Sequence, residues 1–190
     1  MKSDNHYEAA FDAYLRQRGA AVVPVVEARR SYLDAEEVKS PDFLVISGAA
    51  KLVVDVKGRK FPGSAKGGKP RRVWHNWCER EDVIALCAWA ARLGDGFRGV
   101  LAFTYDLAAG IDLPAGTPDV FAFRGRAYLM RGVLAPDYRA HMRTRSPRWG
   151  TVNLLSDDFR RLVKPFSHFL APPADAVECT AEPTARDVLT

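Results

Sequence analysis

The sequence predicts a mixed α/β domain whose elements follow the order helix, three strands, helix, strand. Three observations support this. Apolar residues near the N-terminus recur at helical spacing, short β-branched runs follow between residues 21 and 56, and a long apolar-striped segment precedes another β-branched run at 100–105. Such an order is typical of a central mixed β-sheet flanked by helices.

The first helix is indicated by five apolar residues on one face: Tyr7, Ala10, Phe11, Tyr14 and Leu15. Gly19 is expected to end the helix. Residues 21–26 then form the first strand, and a polar segment, 27–39, follows it.

The next two strands are predicted to form a hairpin. Residues 43–46 and 52–56 are short apolar runs separated by a turn-like segment. If residues 48 and 49 are central in the turn, Ser47 pairs with Ala50.

Counting outward from this pair places Asp42 opposite Asp55, with their side chains on one face at about 5 Å. Because side chains alternate along a strand, Lys57 shares the face of Asp55. The opposite face is filled by Leu52, Val54 and Val56. Two carboxylates that could bridge a divalent ion, with a cation nearby, are the groups that metal-dependent phosphodiester hydrolysis requires.

Acidic residues at strand ends are also ordinary surface features, so a purely structural role is the competing interpretation. Asp55, however, is flanked by Val53, Val54 and Val56. A carboxylate buried among such neighbours is usually paired or bound to a metal, which favours a functional site.

Composition limits the classes of protein that are compatible with this chain. Its 190 residues, 47% hydrophobic and 27% charged, suit one globular domain over residues 1–170, with a disordered tail expected over 171–190. A net charge of +5 permits contact with a polyanion. Three cysteines without metal-ligand spacing, and the absence of an apolar signal core or membrane-length run, lead us to expect a cytoplasmic protein without membrane contact.

The second half of the sequence contains a helix at 77–93, for which Asn76 has cap spacing with Glu79. Acids in its first turn are expected to be structural, since the helix dipole favours them there. Further predicted elements are a strand at 100–105, a hairpin of 120–123 with 127–130, a basic helix at 138–145, a strand at 151–155 and a last helix from Ser156 that Pro165 interrupts.

In this order of elements, Pro41-Asp42 and Asp55-Val56-Lys57 resemble the PD-(D/E)XK nuclease superfamily, whose fold is restriction-endonuclease-like. The segment His6-Tyr7-Glu8-Ala9-Ala10-Phe11-Asp12 also resembles the signature of the bacterial HYExAFE family, with Asp12 in place of Glu.

The superfamily resemblance implies a metal site and a catalytic lysine. Asp42 and Asp55 would be the main Mg²⁺ ligands, with the Val56 carbonyl as a backbone ligand, and Lys57 would position or activate water. Glu8 would be an outer or second-metal ligand, although Asn5 and Glu8 also have the spacing of a capping box. Mn²⁺ could substitute for Mg²⁺, whereas Zn²⁺ is disfavoured because no His/Cys cluster exists.

Basic side chains that follow the predicted lysine are candidates for substrate contact. They are Arg59, Lys60, Lys66, Lys69, Arg71 and Arg72. Placement beside the site favours phosphate contact over a solvated linker. Trp74 and Trp77 could stack on a base, with core packing favoured for at least one. A second basic cluster, Arg139, His141, Arg143, Arg145 and Arg148 with Trp149, has the same two interpretations.

The segment 63–69 matches the start of a phosphate-binding P-loop, but Pro70 stands where a hydroxyl would hold Mg²⁺. The segment also lacks the strand before it and the helix after it, so NTPase activity is rejected.

These patterns together predict a Mg²⁺-dependent nuclease, a deoxyribonuclease rather than a ribonuclease and an endonuclease in type, with nucleic acid as its partner; a homodimer is compatible with the sequence. Two alternatives stay open. One is a catalytically inactive nucleic-acid-binding module on the same fold, and the other is a protein-interaction or assembly subunit that uses its basic segments on an acidic partner.

Overall fold

The computed structural model describes residues 5–25, 31–33, 36–62, 73–94, 96–108, 111 and 113–171. Within these ranges the strands of the main sheet are β1 (Ala21–Pro24), β4 (Phe43–Ser47), β5 (Ala50–Lys60), β7 (Phe97–Leu107), β8 (Val120–Phe123), β9 (Arg126–Leu134) and β12 (Lys164–Pro165). Their order is β1-β4-β5-β7-β9-β12, with β8 also paired to β9. No helix in the described ranges combines the length and the apolar character needed to cross a bilayer.

The sheet is mixed, as the sequence predicts. β5 pairs antiparallel with β4 and parallel with β7, and β7 pairs antiparallel with β9. The parallel pair is connected through a helix, since parallel strands cannot be joined by a tight turn. β5 is therefore an interior strand with hydrogen-bonded neighbours on both sides.

Helices cover both faces of the sheet. On one face lie α1 (His6–Gln17) and α5 (Ser167–Leu170), and on the other lie α2 (Arg80–Leu93), α3 (Ala135–His141) and α4 (Ser156–Leu162). Phe11 of α1 packs against Phe166 and Phe43, while Leu86 of α2 belongs to the opposite cluster with Phe103. Each fully buried side chain of this kind contributes about 1.5–3 kcal/mol, which holds the helices on the sheet.

Two small sheets accompany the main one. β6 (Cys78–Glu79), β11 (Thr151–Asn153) and β10 (Arg143–Ser146) form an antiparallel set in the order β10-β11-β6. β2 (Ser31–Leu33) and β3 (Glu36–Val38) pair within the segment that the sequence indicated only as polar.

The predicted start of the second helix is wrong. Residues 78–79 join β11 as strand β6, so the helix begins at Arg80. Asn76 is not its cap, because the buried Asn76 side chain exchanges hydrogen bonds with the backbone of Leu154. Glu79 takes that position and forms a capping box with Asp82.

Other predicted bounds also change. The basic helix expected at 138–145 is instead α3 followed by strand β10, and the chain around Pro165 forms the short strand β12 after α4 has ended at Leu162. The first strand ends at Pro24. The predicted tail lies outside the described residues, apart from Ala171.

Gly99 fixes the approach of α2 to β7. A Cβ at position 99 would lie 2.8 Å from the carbonyl oxygen of Leu86 and 3.2 Å from Cβ of Ala135. We expect Gly99→Ala to lower the free energy of unfolding by about 2 kcal/mol, because backbone must shift to relieve the contact.

The matched control is Gly48→Ala in the β4–β5 turn, where φ is +52° and nothing lies within 4 Å of the added Cβ. Left-handed strain alone should lower the free energy of unfolding there by about 1 kcal/mol. Urea denaturation measures the free energy of unfolding of both variants. Equal losses would show that the close contact at Gly99 adds no cost beyond that of an ordinary glycine replacement.

Candidate functional site

The β4–β5 hairpin has the register predicted from the turn. Ser47 pairs with Ala50 and Phe43 with Val54, and Asp42 lies immediately before β4, beside the part of β5 that contains Val54 and Val56. The Asp42 N–H donates to the Val54 carbonyl at 3.0 Å. The Val56 N–H in turn donates to Oδ2 of Asp42 at 2.5 Å, which fastens this carboxylate to β5.

The two faces of β5 are also as predicted. Leu52, Val54 and Val56 belong to the cluster beneath α1, and Val53 belongs to the cluster beneath α2. Because side chains alternate along the strand, Asp55 and Lys57 share the α2 face with Val53. Asp42 and Asp55 are 8% and 4% exposed, which makes both of them buried carboxylates.

A third carboxylate, Asp82 in the first turn of α2, completes the charged group. Lys57 Nζ lies 2.6 Å from Oδ2 of Asp55 and 2.7 Å from Oδ2 of Asp82. Lys39 Nζ lies 2.5 Å from Oδ1 of Asp82 and 2.8 Å from Glu79 Oε2. Lysines and carboxylates therefore alternate in the order Asp55, Lys57, Asp82, Lys39.

Sequence reasoning assigned Asp82 only a structural role at the helix N-terminus. That role is real, since Asp82 Oδ2 accepts the N–H of Glu79 at 2.9 Å. Its contact with Lys57 depends on how α2 lies across β5, and residue spacing carries no signal for that. An acidic residue in a first helical turn satisfies the helix dipole with or without such a partner.

Lys57 is held as an ammonium ion. Burial alone would lower the pKa of Lys57, but the charges of Asp55 and Asp82 outweigh burial and raise it above the ordinary value. Burial likewise acts to raise the pKa of Asp82, and Lys57 and Lys39 outweigh it and lower that pKa. Both members of this pair are therefore charged at neutral pH.

Asp42 and Asp55 have the opposite tendency. Burial raises the pKa of Asp42, and the charge of Asp55 raises it further, against the hydrogen bond from Val56. Burial also raises the pKa of Asp55, although Lys57 acts against this. Burial thus favours a proton on Asp42 next to Asp55, whose Oδ2 is paired with Lys57, and a cation shared by the two carboxylates would replace that proton.

The chemistry of these donors fits a hard divalent cation. Oδ2 of Asp55 is buried and lies 2.6 Å from the ammonium group of Lys57. No group of three or more His, Cys, Asp or Glu residues in the part of the chain that the structure describes is arranged to hold a metal. Two carboxylates and a backbone carbonyl suit Mg²⁺, which retains several waters.

Both predicted roles of Glu8, metal ligand and helix cap, are compatible with the structure. The Asn5 side-chain amide donates to Oε1 of Glu8, and Asn5 Oδ1 accepts the N–H of Tyr7 at 3.3 Å, which is a capping arrangement at the start of α1. The charge of Glu8 also raises the pKa of Asp42, so Glu8 lies within electrostatic reach of the site.

Predicted substrate contacts are described only at Arg59 and Lys60, since Lys66, Lys69, Arg71 and Arg72 lie outside the described residues. Lys60 is exposed. Arg59 is partly buried, its guanidinium donates to the carbonyls of Gly58 and Trp77, and Cζ lies 3.9 Å from the centre of the Trp77 ring. Burial lowers the pKa of Arg59.

The two tryptophans beyond the basic segment have different surroundings. Trp74 packs in the core, with its ring 5.1 Å from Phe61 and 4.9 Å from Tyr105 between ring centres. Two guanidinium groups contact the Trp77 ring, with Cζ of Arg59 at 3.9 Å and Cζ of Arg145 at 5.0 Å from the ring centre. Core packing is therefore confirmed for Trp74.

Comparison with known proteins gives a likeness of fold. No protein-family model matches the sequence, so the HYExAFE resemblance stays a prediction, and no curated protein sequence matches significantly. Among solved structures, the chain is similar to Hjc of Archaeoglobus fulgidus, a Holliday junction resolvase from an archaeal hyperthermophile. The TM-score is 0.52 over 88% of this chain and 100% of that chain, with 12% sequence identity. This likeness shows the predicted restriction-endonuclease-like fold.

Removing Asp82 should destabilise the protein. Asp82→Ala takes a buried partner from Lys57 and Lys39 together with a helix cap, and we expect a loss of about 3 kcal/mol in the free energy of unfolding. Glu81→Ala, an exposed carboxylate in the same helical turn, should cost less than about 1 kcal/mol. Chemical denaturation of both variants tests this, and equal losses would contradict the pairing.

Stability without metal should fall as pH rises from about 5 to 8, because the folded protein binds protons at Asp42 and Asp55 more strongly than the unfolded chain does. Each unit of pKa elevation corresponds to about 1.4 kcal/mol. Lys57, with its raised pKa, and Asp82, with its lowered pKa, keep their charges in this window and add no slope.

Urea denaturation in EDTA across this pH range measures the slope. Asp42→Asn should reduce it, because an amide does not titrate. A slope that is unchanged in this variant would exclude Asp42 as its source.

Proposed function

We propose that this protein is a metal-dependent nuclease that hydrolyses phosphodiester bonds within DNA strands. The observation that carries the proposal is one hairpin in which two buried carboxylates, Asp42 and Asp55, lie within electrostatic reach of each other, with the ammonium group of Lys57 on the same strand as Asp55. Net positive charge and the fold shared with a DNA junction resolvase support DNA as the substrate.

Asp42 and Asp55 would hold Mg²⁺, or Mn²⁺ in its place, with the Val56 carbonyl as a further ligand and Glu8 completing the site from α1. When bound, such an ion stabilises charge on the phosphate and makes a coordinated water more acidic. The hydrogen bond from the Val56 N–H keeps the Asp42 carboxylate against β5, the strand that carries Asp55.

Lys57 would act through its positive charge. Because its pKa is raised, it cannot accept a proton near neutral pH. It can donate hydrogen bonds to a water or to a phosphate oxygen and stabilise the negative charge that develops there. Asp82, on the far side of Nζ, would keep the ammonium group in place.

A second candidate is a nucleic-acid-binding module without catalysis. The ion pairs of Lys57 with both Asp55 and Asp82 favour it, because such a buried network also serves a purely structural role. Metal-independent binding without cleavage of any nucleic acid would select this second candidate.

The proposed activity can be tested on supercoiled plasmid, linear duplex DNA, single-stranded DNA and RNA, with Mg²⁺ or EDTA. We expect nicking of plasmid with Mg²⁺ alone. Asp42→Asn, Asp55→Asn and Lys57→Met should each lower the rate by about 100-fold or more, since each removes a group that stabilises the transition state.

Asp157→Asn is the matched control, because its side chain is 95% exposed and pairs only locally with Arg160. It should cleave at the rate of the unmodified protein. Cleavage that survives Asp55→Asn and Lys57→Met would refute the assignment of this site.

A further inference from the structure

An exposed basic segment leads from the small sheet into solvent. It comprises residues 143–150, here called the basic ribbon: strand β10 and the turn that connects it to β11. Arg143, Arg145, Arg148 and Trp149 are all exposed, and Trp149 is 69% accessible. The stretch from Tyr138 to Ser156 contains no acidic residue.

The positive charge of the ribbon is not neutralised locally. Within the ranges that the structure describes, Arg143, Arg145 and Arg148 form no ion pair, whereas Arg160 and Arg161 on α4 pair with Asp157 and Asp158. Unpaired guanidinium groups on an exposed strand are suited to phosphate oxygens, which they can bind bidentately.

Trp149 gives the ribbon an aromatic surface. Most of its surface is solvent-accessible, and Cζ of Arg148 lies 5.3 Å from the ring centre. A large exposed indole beside arginines is typical of surfaces that stack unpaired bases while they neutralise the backbone. A nucleic acid offers phosphates for the arginines and a base for the indole along the same strand, whereas an acidic protein surface need not pair its carboxylates with an aromatic ring.

The ribbon is tied to the candidate site through two contacts. The Arg80 N–H donates to the carbonyl of Gly150 at 2.9 Å, and Arg80 is the first residue of the helix that carries Asp82. Arg145 of the ribbon shares the Trp77 ring with Arg59, which lies two residues beyond Lys57 on β5. A molecule held on the ribbon is therefore held at a defined position relative to β5 and α2.

We propose that the basic ribbon is the docking surface for a DNA segment that contains an unpaired base, with Arg143 and Arg148 on its phosphates and Trp149 stacked on the base. This inference rests on the proposed nuclease function for the identity of the substrate. It adds the part of the protein that holds the substrate and the structural feature that the protein selects.

DNA binding is measured in EDTA, which removes divalent ions, so that docking is observed without metal-dependent cleavage. Fluorescence anisotropy would use labelled 20-nucleotide single-stranded DNA, the matching blunt duplex, and a forked duplex with unpaired arms. Arg143→Ala with Arg148→Ala should weaken binding of all three and lower the slope of log affinity against log salt by about 1.4–1.8, the value for two lost phosphate contacts.

Trp149→Ala should weaken binding of the single strand and the fork by about 5- to 100-fold, while Trp149→Phe keeps most of the affinity and the duplex changes less than about twofold. The charge-matched control is Arg160→Ala with Arg161→Ala. Urea denaturation of each variant confirms that folding is unchanged.

A control that loses as much affinity as the ribbon variant would overturn the proposal, because general charge would then explain binding. An equal effect of Trp149→Ala on all three DNAs would overturn the unpaired-base preference. If the ribbon variants lose DNA binding but the unmodified protein never cleaves DNA with Mg²⁺, the docking proposal is supported and the nuclease proposal is refuted. If the ribbon variants bind and cleave DNA like the unmodified protein, the docking proposal is refuted and the nuclease proposal is not affected.

Discussion

The burial of charge on the central strand is the constraint on which the other features of this structure depend. β5 has strand neighbours on both edges and helices over both faces, so Asp55 is buried and Lys57 is only partly exposed. An isolated charge in such a place is strongly unfavourable. The N-terminal turn of α2 supplies the compensating carboxylate, Asp82, and that carboxylate also binds Lys39.

Two kinds of compensation coexist within this charged group. Lys57 forms ion pairs with Asp55 and Asp82, whereas burial stabilises the protonated form of Asp42 when no cation is present. The same fold could carry other chemistry, because a fold shared at 12% identity does not specify activity. The buried carboxylates Asp42 and Asp55, next to the permanent positive charge of Lys57, are what would give a divalent cation a place in the proposed nuclease.

The Trp77 ring connects the region of the charged group to the basic ribbon at the surface. Trp77 contacts Arg59 of β5 and Arg145 of β10, so one aromatic ring joins the main sheet to the small one. Cation–π contacts of this kind contribute about 0.5–2 kcal/mol each, depending on desolvation. Together with the backbone bond from Arg80 to Gly150, they fix the basic ribbon relative to the end of β5.

The mixed sheet, the hairpin register and the shared face of Asp55 and Lys57 could be predicted from the sequence, because strand alternation and turn geometry are local properties. Three features could not: the start of α2 after β6, the hydrogen bonds of Asn76 with the backbone of Leu154, and the ion pair of Asp82 with Lys57. These contacts join residues far apart in the chain, and their formation depends on how helices pack across strands. Residue spacing does not encode that packing. The sequence therefore indicated Asp42, Asp55 and Lys57, but not that Asp82 contacts Lys57.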